Sequence, residues 1–165
     1  MIYLKKYENY NILETKISEK TEENLKFIKD HFKDIPLTIE QYIERPHIFT
    51  FESRLDGKLV GSCISVIRDF KANVNDISIP NTVEYKLPRV HINYIRTLEE
   101  FRGKGIGKEI VNKILQWSSS NGVGIVTANV KIENTQSQNL FKSCLFTKSD
   151  KLTANGSNTF YFLIN

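Results

Sequence analysis

Tyr94-Ile95-Arg96-Thr97-Leu98-Glu99-Glu100-Phe101-Arg102-Gly103-Lys104-Gly105-Ile106-Gly107-Lys108 is the stretch on which the fold turns. It reads as the end of a strand, a tight basic glycine loop and the first turn of a helix. Leading into it, Val90-His91-Ile92-Asn93-Tyr94-Ile95 is rich in β-branched and aromatic residues, the composition of a strand. Beyond the loop, Ile106, Ile110, Val111, Ile114 and Leu115 share one helical stripe, so the helix starts inside the glycines. The first N–H groups of a helix have no intrahelical partner, and the aligned peptide dipoles place partial positive charge there. Glycine at 103, 105 and 107 removes the side chains that would hold an anion away from those donors. Arg102, Lys104 and Lys108 add full charges to the same loop. This is the construction of a phosphate or pyrophosphate site.

What the loop lacks narrows the ligand. A P-loop needs G-x-x-x-x-G-K followed by Ser or Thr, but Lys108 is followed by Glu109, so no hydroxyl stands ready for magnesium. A dinucleotide fingerprint needs G-x-G-x-x-G, whereas these glycines are spaced G-x-G-x-G. Arg102-Gly103-Lys104-Gly105-Ile106-Gly107 instead satisfies the acyl-CoA signature of the GCN5-related N-acetyltransferases (Arg or Gln, two residues, Gly, one residue, Gly or Ala). The chain resembles that superfamily from the strand before the loop to a second strand and a helix carrying Asn134.

Size and composition agree with one compact domain over residues 1–165, long enough to bury a full core. No apolar run approaches a membrane span, and Met1-Ile2-Tyr3-Leu4-Lys5-Lys6 is too short and too charged for a signal peptide. Cys63 and Cys144 sit in apolar runs and read as buried reduced thiols, which points to a cytoplasmic protein. A net charge of +4 with a pI near 9.0 invites a nucleic-acid reading. The excess is small, however, and lysines alternate with acids instead of forming one basic tract interleaved with aromatics. A solvated surface with a local anion site is the better account.

Taken in order, the chain opens with one or two short strands up to about Ile17, with Tyr10-Asn11-Ile12-Leu13 the expected core piece. Leu25, Ile28 and Phe32 give a helical stripe between Thr21 and about Lys33. Pro36 breaks it, and Thr38-Ile39-Glu40-Gln41 reads as a capping box opening a second short helix toward Arg45. His47 to Leu55 and Lys58 to Asp69 are strands joined by Asp56-Gly57, a two-residue hairpin signal, with Phe49, Phe51, Val60, Ile64 and Val66 facing a core. Residues 70–88 are polar and longer than a hairpin needs. The helix after the glycine loop runs to about Ser118 and ends at Asn121-Gly122. A buried strand follows over residues 124–130, then a helix N-capped by Asn134 and reaching Cys144. Residues 146–152 and 159–164 close the chain as a hairpin. The order β-α-α-β-β-β-α-β-α-β-β predicts an α/β (α+β) fold with a mixed, mostly antiparallel central sheet and helices on both faces.

The resemblance implies an acetyl-CoA-dependent N-acetyltransferase of this fold, acting by direct transfer on a small-molecule or peptide amine, as a monomer or homodimer, without a metal. It implies that pantetheine lies beside the strand before the loop, on backbone groups of Ile95, Arg96 and Thr97, much as an added strand would. It implies that pyrophosphate sits on the amides of Gly103, Gly105, Ile106, Gly107 and Lys108, with Arg102 and Lys104 beside it. Asn134 matches a CoA-contacting asparagine. Residues 70–88 become an acceptor-specificity loop, and Phe32, Tyr42 and Glu44 possible acceptor contacts. An acceptor amine must lose a proton. His91, with an ordinary pKa near 6.5, is the first candidate base. By strict alternation it would face the same side as Ile95 and Thr97. Glu52 is the alternative. Phe141 stands where many relatives carry the tyrosine that protonates the departing thiolate, and Asn129 where others carry a glutamate base. Tyr161, Tyr94 or water would then supply the proton. These two departures also admit a CoA-binding sensor or interaction module that has lost catalysis.

Overall fold

The structure, a computed structural model, describes residues 13–17, 21–32, 41, 44–71 and 77–165. The described residues form seven strands: β1 (Leu13–Ile17), β2 (Ile48–Leu55), β3 (Lys58–Arg68), β4 (Arg89–Thr97), β5 (Ile125–Val130), β6 (Thr147–Leu152) and β7 (Asn158–Leu163). Three helices accompany them, α1 (Glu22–His31), α2 (Ile106–Ser120) and α3 (Thr135–Ser143). The sheet order is β1-β2-β3-β4-β5-β7-β6, antiparallel throughout except for the parallel pair β4–β5. This is the mixed, mostly antiparallel sheet with helices on both faces that the residue pattern predicts. The second helix expected after Pro36, Tyr42, and the expected strand piece before Leu13 lie outside the described residues. Among the described residues no helix is long and apolar enough to cross a membrane.

Each helix is placed by its apolar stripe. Thr21 caps α1 by accepting from the Asn24 N–H at 3.3 Å, and Leu25, Phe27, Ile28 and Phe32 then pack on Ile48, Ile64 and Val66. On the opposite face α2 buries Ile106, Ile110, Val111 and Ile114 against Phe49, Phe51, Val60 and Cys63. Burying side chains of that kind contributes about 1.5–3 kcal/mol each. Asp56 and Gly57 both have positive φ, the two-residue turn that suits strand twist. Gly61 on β3 lets the start of α2 approach the sheet: a Cβ there would stand 2.9 Å from Ile106 and 3.2 Å from Ile110.

Two features depart from the regular reading. Across β3–β4, Ile64 faces Tyr94 but Ser65 faces Ile92, so Asn93 is an extra residue in β4. Such a bulge reverses the side-chain alternation of everything beyond it. The segment after Phe70, expected to be an acceptor-specificity loop, is fastened over its described part. Ser78 N–H donates to Thr159 Oγ1 at 3.0 Å, and the Ser78 hydroxyl to Leu152 O at 2.9 Å. Ile77 is buried, and the Gly124 N–H donates to Pro88 O at 2.9 Å.

That last approach is close enough to test. A Cβ on Gly124 would lie 1.9 Å from the Lys86 carbonyl oxygen, a backbone atom that can retreat only if the segment moves. Gly124→Ala should therefore cost about 2–4 kcal/mol, against about 1–2 kcal/mol for Gly61→Ala, whose nearest neighbour is a flexible isoleucine. Urea titrations of the two variants measure the difference. Equal midpoints for Gly124→Ala and wild type would show that residues 77–88 do not hold β5.

Candidate active site

The glycine loop is shaped by its backbone. Gly103 and Gly105 have φ of 73° and 84°, and Gly105 in that left-handed conformation is the N-cap of α2. A glycine cap has no side chain to fold back, and none bonds the first-turn amides of α2. The N–H groups at that end are thus directed at the loop's own concavity, with the helix dipole behind them. Gly107 brings α3 close: a Cβ there would meet Leu140 at 3.4 Å. Arg102 reaches back across the loop, its Nε donating to Thr97 O at 3.4 Å. Lys104 turns its ammonium onto the Phe101 ring, 5.0 Å from the centroid.

The loop opens into a cleft because β4 and β5 part company. Their pairing runs from Arg89↔Ile125 to Ile92↔Ala128 and stops there. Past the bulge, β4 continues alongside β3 alone, from Tyr94↔Ile64 to Thr97↔Gly61. Its other edge is an unpaired strand edge facing α3. Two cavities fill the gap. One, of about 530 Å³, is bordered by Ile95, Arg96, Thr97, the glycine loop and α3. The other, of about 320 Å³, continues from it and is bordered by Phe32, Tyr94, Arg96, Asn129, Lys131 and Phe141. They share Ile95, Arg96, Asn134 and Ser137, so they form one continuous cleft.

Of the residues expected to hold CoA, Ile95, Arg96, Thr97, Arg102, Gly103, Gly105, Ile106, Gly107, Lys108 and Asn134 all line the larger cavity. Lys104 does not. Asn134 has a structural duty as well, since its Oδ1 caps α3 by accepting from Ser137 N–H at 3.0 Å; only its amide NH2 faces elsewhere. Phe141 reaches the smaller cavity but is 2% exposed, packed between Phe146 and Phe160. The α3 residues Gln136, Ser137, Asn139 and Ser143 also border the cleft. Helical spacing from Asn134 would have found Ser137 on the same face.

The expected proton carriers are placed differently. His91 borders neither cavity. It pairs opposite Val66, on the α1 face, whereas Ile95 pairs opposite Cys63 on the α2 face. The bulge at Asn93 is the reason, and the expectation of a shared face is corrected on that ground. The His91 ring is further committed at Nδ1. His91 Nδ1 lies 2.9 Å from the Thr127 hydroxyl, which also reaches Val90 O at 3.2 Å, so that ring nitrogen is engaged inside the sheet. Burial first, then the charges of Arg89 and Arg68, pull the His91 pKa down from 6.5 to about 4. It is a neutral strand histidine at physiological pH.

Glu52, the alternative base, has partners of its own. One carboxylate oxygen accepts from Arg54 Nε at 2.9 Å and the other from Asn24 Nδ2 at 3.2 Å. Arg54 also bonds Glu23 at 2.7 Å and Gly57 O at 2.9 Å. These contacts raise the Arg54 pKa further and hold Glu23 below the usual carboxylate range. Glu52 thereby ties α1 to the sheet, and it borders neither cavity. Tyr161 is buried on β7 opposite Thr127, away from the cleft. Tyr94, by contrast, lines the smaller cavity, edge-on to Phe32 at 5.9 Å. Asn129 lines it as well, its Oδ1 accepting from the Thr159 hydroxyl at 3.1 Å. Glu44 is exposed and borders neither cavity.

The sequence pattern of the Acetyltransferase (GNAT) family matches residues 12–146. An aminoglycoside N(6')-acetyltransferase type 1 from Salmonella typhimurium is 24% identical over 113 residues, which is 68% of this chain and 72% of that protein. Arabidopsis thaliana NAA60 bound to a bisubstrate analogue superposes with a TM-score of 0.68 at 21% identity, covering 93% of this chain and 99% of its own. Aminoglycoside N-acetyltransferase AAC(6')-Iy in complex with CoA gives 0.68 at 22%, covering 86% and 91%.

The reassignment of His91 carries a measurable sign. Its folded pKa lies below its unfolded value, so the unfolded chain takes up the proton first as pH falls. Stability is full above about 6.5 and declines toward pH 4, by roughly 3 kcal/mol at most. Denaturant midpoints followed from pH 7 to 4 should fall less steeply in His91→Gln than in wild type. Parallel slopes would show that the fold does not hold the His91 imidazole neutral.

Proposed function

The chain belongs to the Acetyltransferase (GNAT) family, and on that premise we propose that it is an acetyl-CoA-dependent N-acetyltransferase acting by direct transfer to a primary amine. One observation carries the reading. The unpaired edge of β4 runs without interruption from the uncapped, glycine-lined start of α2 to a second cavity walled by Tyr94 and Asn129. The first part matches an anionic head group, the edge an extended amide-bearing arm, and the last part a reacting amine.

In this reading the pyrophosphate rests on the first-turn amides of α2, with Arg102 and Lys108 supplying charge. Pantetheine amides pair with backbone groups of Ile95, Arg96 and Thr97, as an added strand would. A β4 N–H then polarises the thioester carbonyl and holds the oxyanion. The amine nitrogen attacks that carbon, a C–N bond forms and the C–S bond breaks. The amine loses one proton and the departing thiolate gains one. No enzyme thiol takes part: Cys63 is buried with its pKa pushed up to about 12, and burial raises Cys144.

The described residues around the smaller cavity include no carboxylate and no imidazole. Water therefore carries the amine proton away, held by polar groups such as Asn129. The Tyr94 phenol is the protein group best placed to protonate the thiolate. A second reading, a CoA-binding module without catalysis, draws on Phe141, whose ring fills the place of the family's usual tyrosine and offers no proton. Turnover with a panel of amines separates the two.

Two measurements test the proposal. Acetyl-CoA at a hundred times its Kd should stabilise the fold by about 2.7 kcal/mol, seen as a rise in Tm. Gly105→Asp should abolish the rise while Gly105→Asn retains much of it, because both residues tolerate the left-handed backbone but only aspartate repels phosphate. A wild-type Tm indifferent to acetyl-CoA would sink the assignment. For the proton, Tyr94→Phe should lower kcat by on the order of tenfold to a hundredfold with acetyl-CoA affinity kept. An unchanged kcat would hand the donor's role to water.

A further inference from the structure

We propose that the acceptor carries an anionic group, a carboxylate or a phosphate ester, close to its primary amine, and that Arg96 and Lys131 bind that anion. The inference rests on the acetyltransferase reading and names the substrate class for the same cleft.

The register decides which side chains meet the acceptor. Arg96 pairs opposite Ser62 and Tyr94 opposite Ile64, and Ile64 lies under α1. Ile95 and Thr97 point the other way, toward α2 and the glycine loop. On β5, Thr127 bonds His91 on the α1 face, and Asn129 two residues on repeats that orientation. Lys131 follows just past the end of β5, and it borders the smaller cavity only. The acceptor cavity is therefore framed on its α1 side by two cations, two aromatic rings and one carboxamide. Among its described lining residues there is no Asp or Glu.

That inventory is wrong for a polycation. A substrate with several ammonium groups would meet two like charges, and no described lining residue is a carboxylate that could offset them. It is right for a small zwitterion, whose anion reaches Arg96 and Lys131 while its amine faces the thioester. The CoA phosphates do not already claim Arg96. They have Arg102, Lys108 and the α2 amides, and Arg96 leaves β4 on the opposite side from Ile95 and Thr97. A guanidinium can hold a carboxylate or phosphate through two parallel hydrogen bonds, which makes the contact selective.

The test compares matched pairs at saturating acetyl-CoA: an α-amino acid against its amide, an amino-sugar phosphate against the bare amino sugar, and a polycationic aminoglycoside beside them. The anionic member should be preferred in kcat/KM by roughly tenfold to a hundredfold, the worth of a charged hydrogen bond. The preference should shrink at high salt. Whichever pair gives the larger ratio names the anion. Arg96→Gln should reduce the ratio toward unity, and Lys131→Glu, at an exposed site past β5, should invert it. If nothing is turned over, the same pairs are titrated calorimetrically into the protein–CoA complex. A preference for the neutral member or the aminoglycoside, equal treatment of both members, or a ratio untouched by both substitutions overturns the inference. The acetyl-CoA melt shift separates the two levels. A shift with cations preferred removes this inference alone, whereas no shift removes the acetyltransferase reading and this inference with it.

Discussion

The structure depends on one unpaired residue. Asn93 is extra in β4, and from that point β4 follows β3 and leaves β5. Continued pairing would have used every backbone donor and acceptor of both strands, leaving a closed sheet with no place for a ligand. The bulge converts half of β4 into an edge inside the sheet, where hydrogen-bonding groups want a partner. It also turns Tyr94 and Arg96 toward α1 while Ile95 and Thr97 face α2. In the proposed reading, a single insertion thereby separates the side that receives the donor's phosphates from the side that receives the acceptor.

The edge is useful only if the anion site sits at its end, and small residues arrange that. Gly61 on β3 pairs with Thr97, the last residue of β4, and lets Ile106 and Ile110 settle directly on the sheet. Gly107, in the first turn of the same helix, admits Leu140 of α3. With helices on both sides of the gap fixed in this way, the first turn of α2 aims its amides along the β4 edge. Packing, not charge, therefore sets the geometry of the proposed phosphate site, and Arg102 and Lys108 only strengthen it.

How much of this is legible in the sequence follows from how local each feature is. The glycine loop, the α2 stripe and the Asp56-Gly57 turn are decided within a few residues, so their spacing suffices. The bulge is not local: nothing in Val90-His91-Ile92-Asn93-Tyr94-Ile95 marks one residue as unpaired, since pairing is decided by β3. Strict alternation carried across it puts His91 on the wrong face. For Glu52 the signal was present, because Arg54 two residues later on the same strand face is a ready ion-pair partner. Asn24 was out of reach, being brought there by the docking of α1. Residues 77–88 look like a free loop because polar segments usually are. Gly124, unusually bare at the head of a buried strand, is the one mark of the backbone that presses on it.

With His91 and Glu52 bordering neither cavity, the titrating group of the proposed reaction is the acceptor itself. Only the neutral amine has a lone pair to attack with, and its fraction at a given pH is set by its pKa in the cleft. A nearby cation disfavours the ammonium form and lowers that pKa. If the acceptor's anion lies on Arg96 and Lys131 as proposed, those cations act on the amine as well as on the anion beside it. In free solution the substrate's own anion stabilises its ammonium. Once that anion is paired with Arg96 and Lys131, the stabilisation is withdrawn and the proton leaves more readily. Water then suffices to accept it, and no carboxylate base is required at the position held by Asn129.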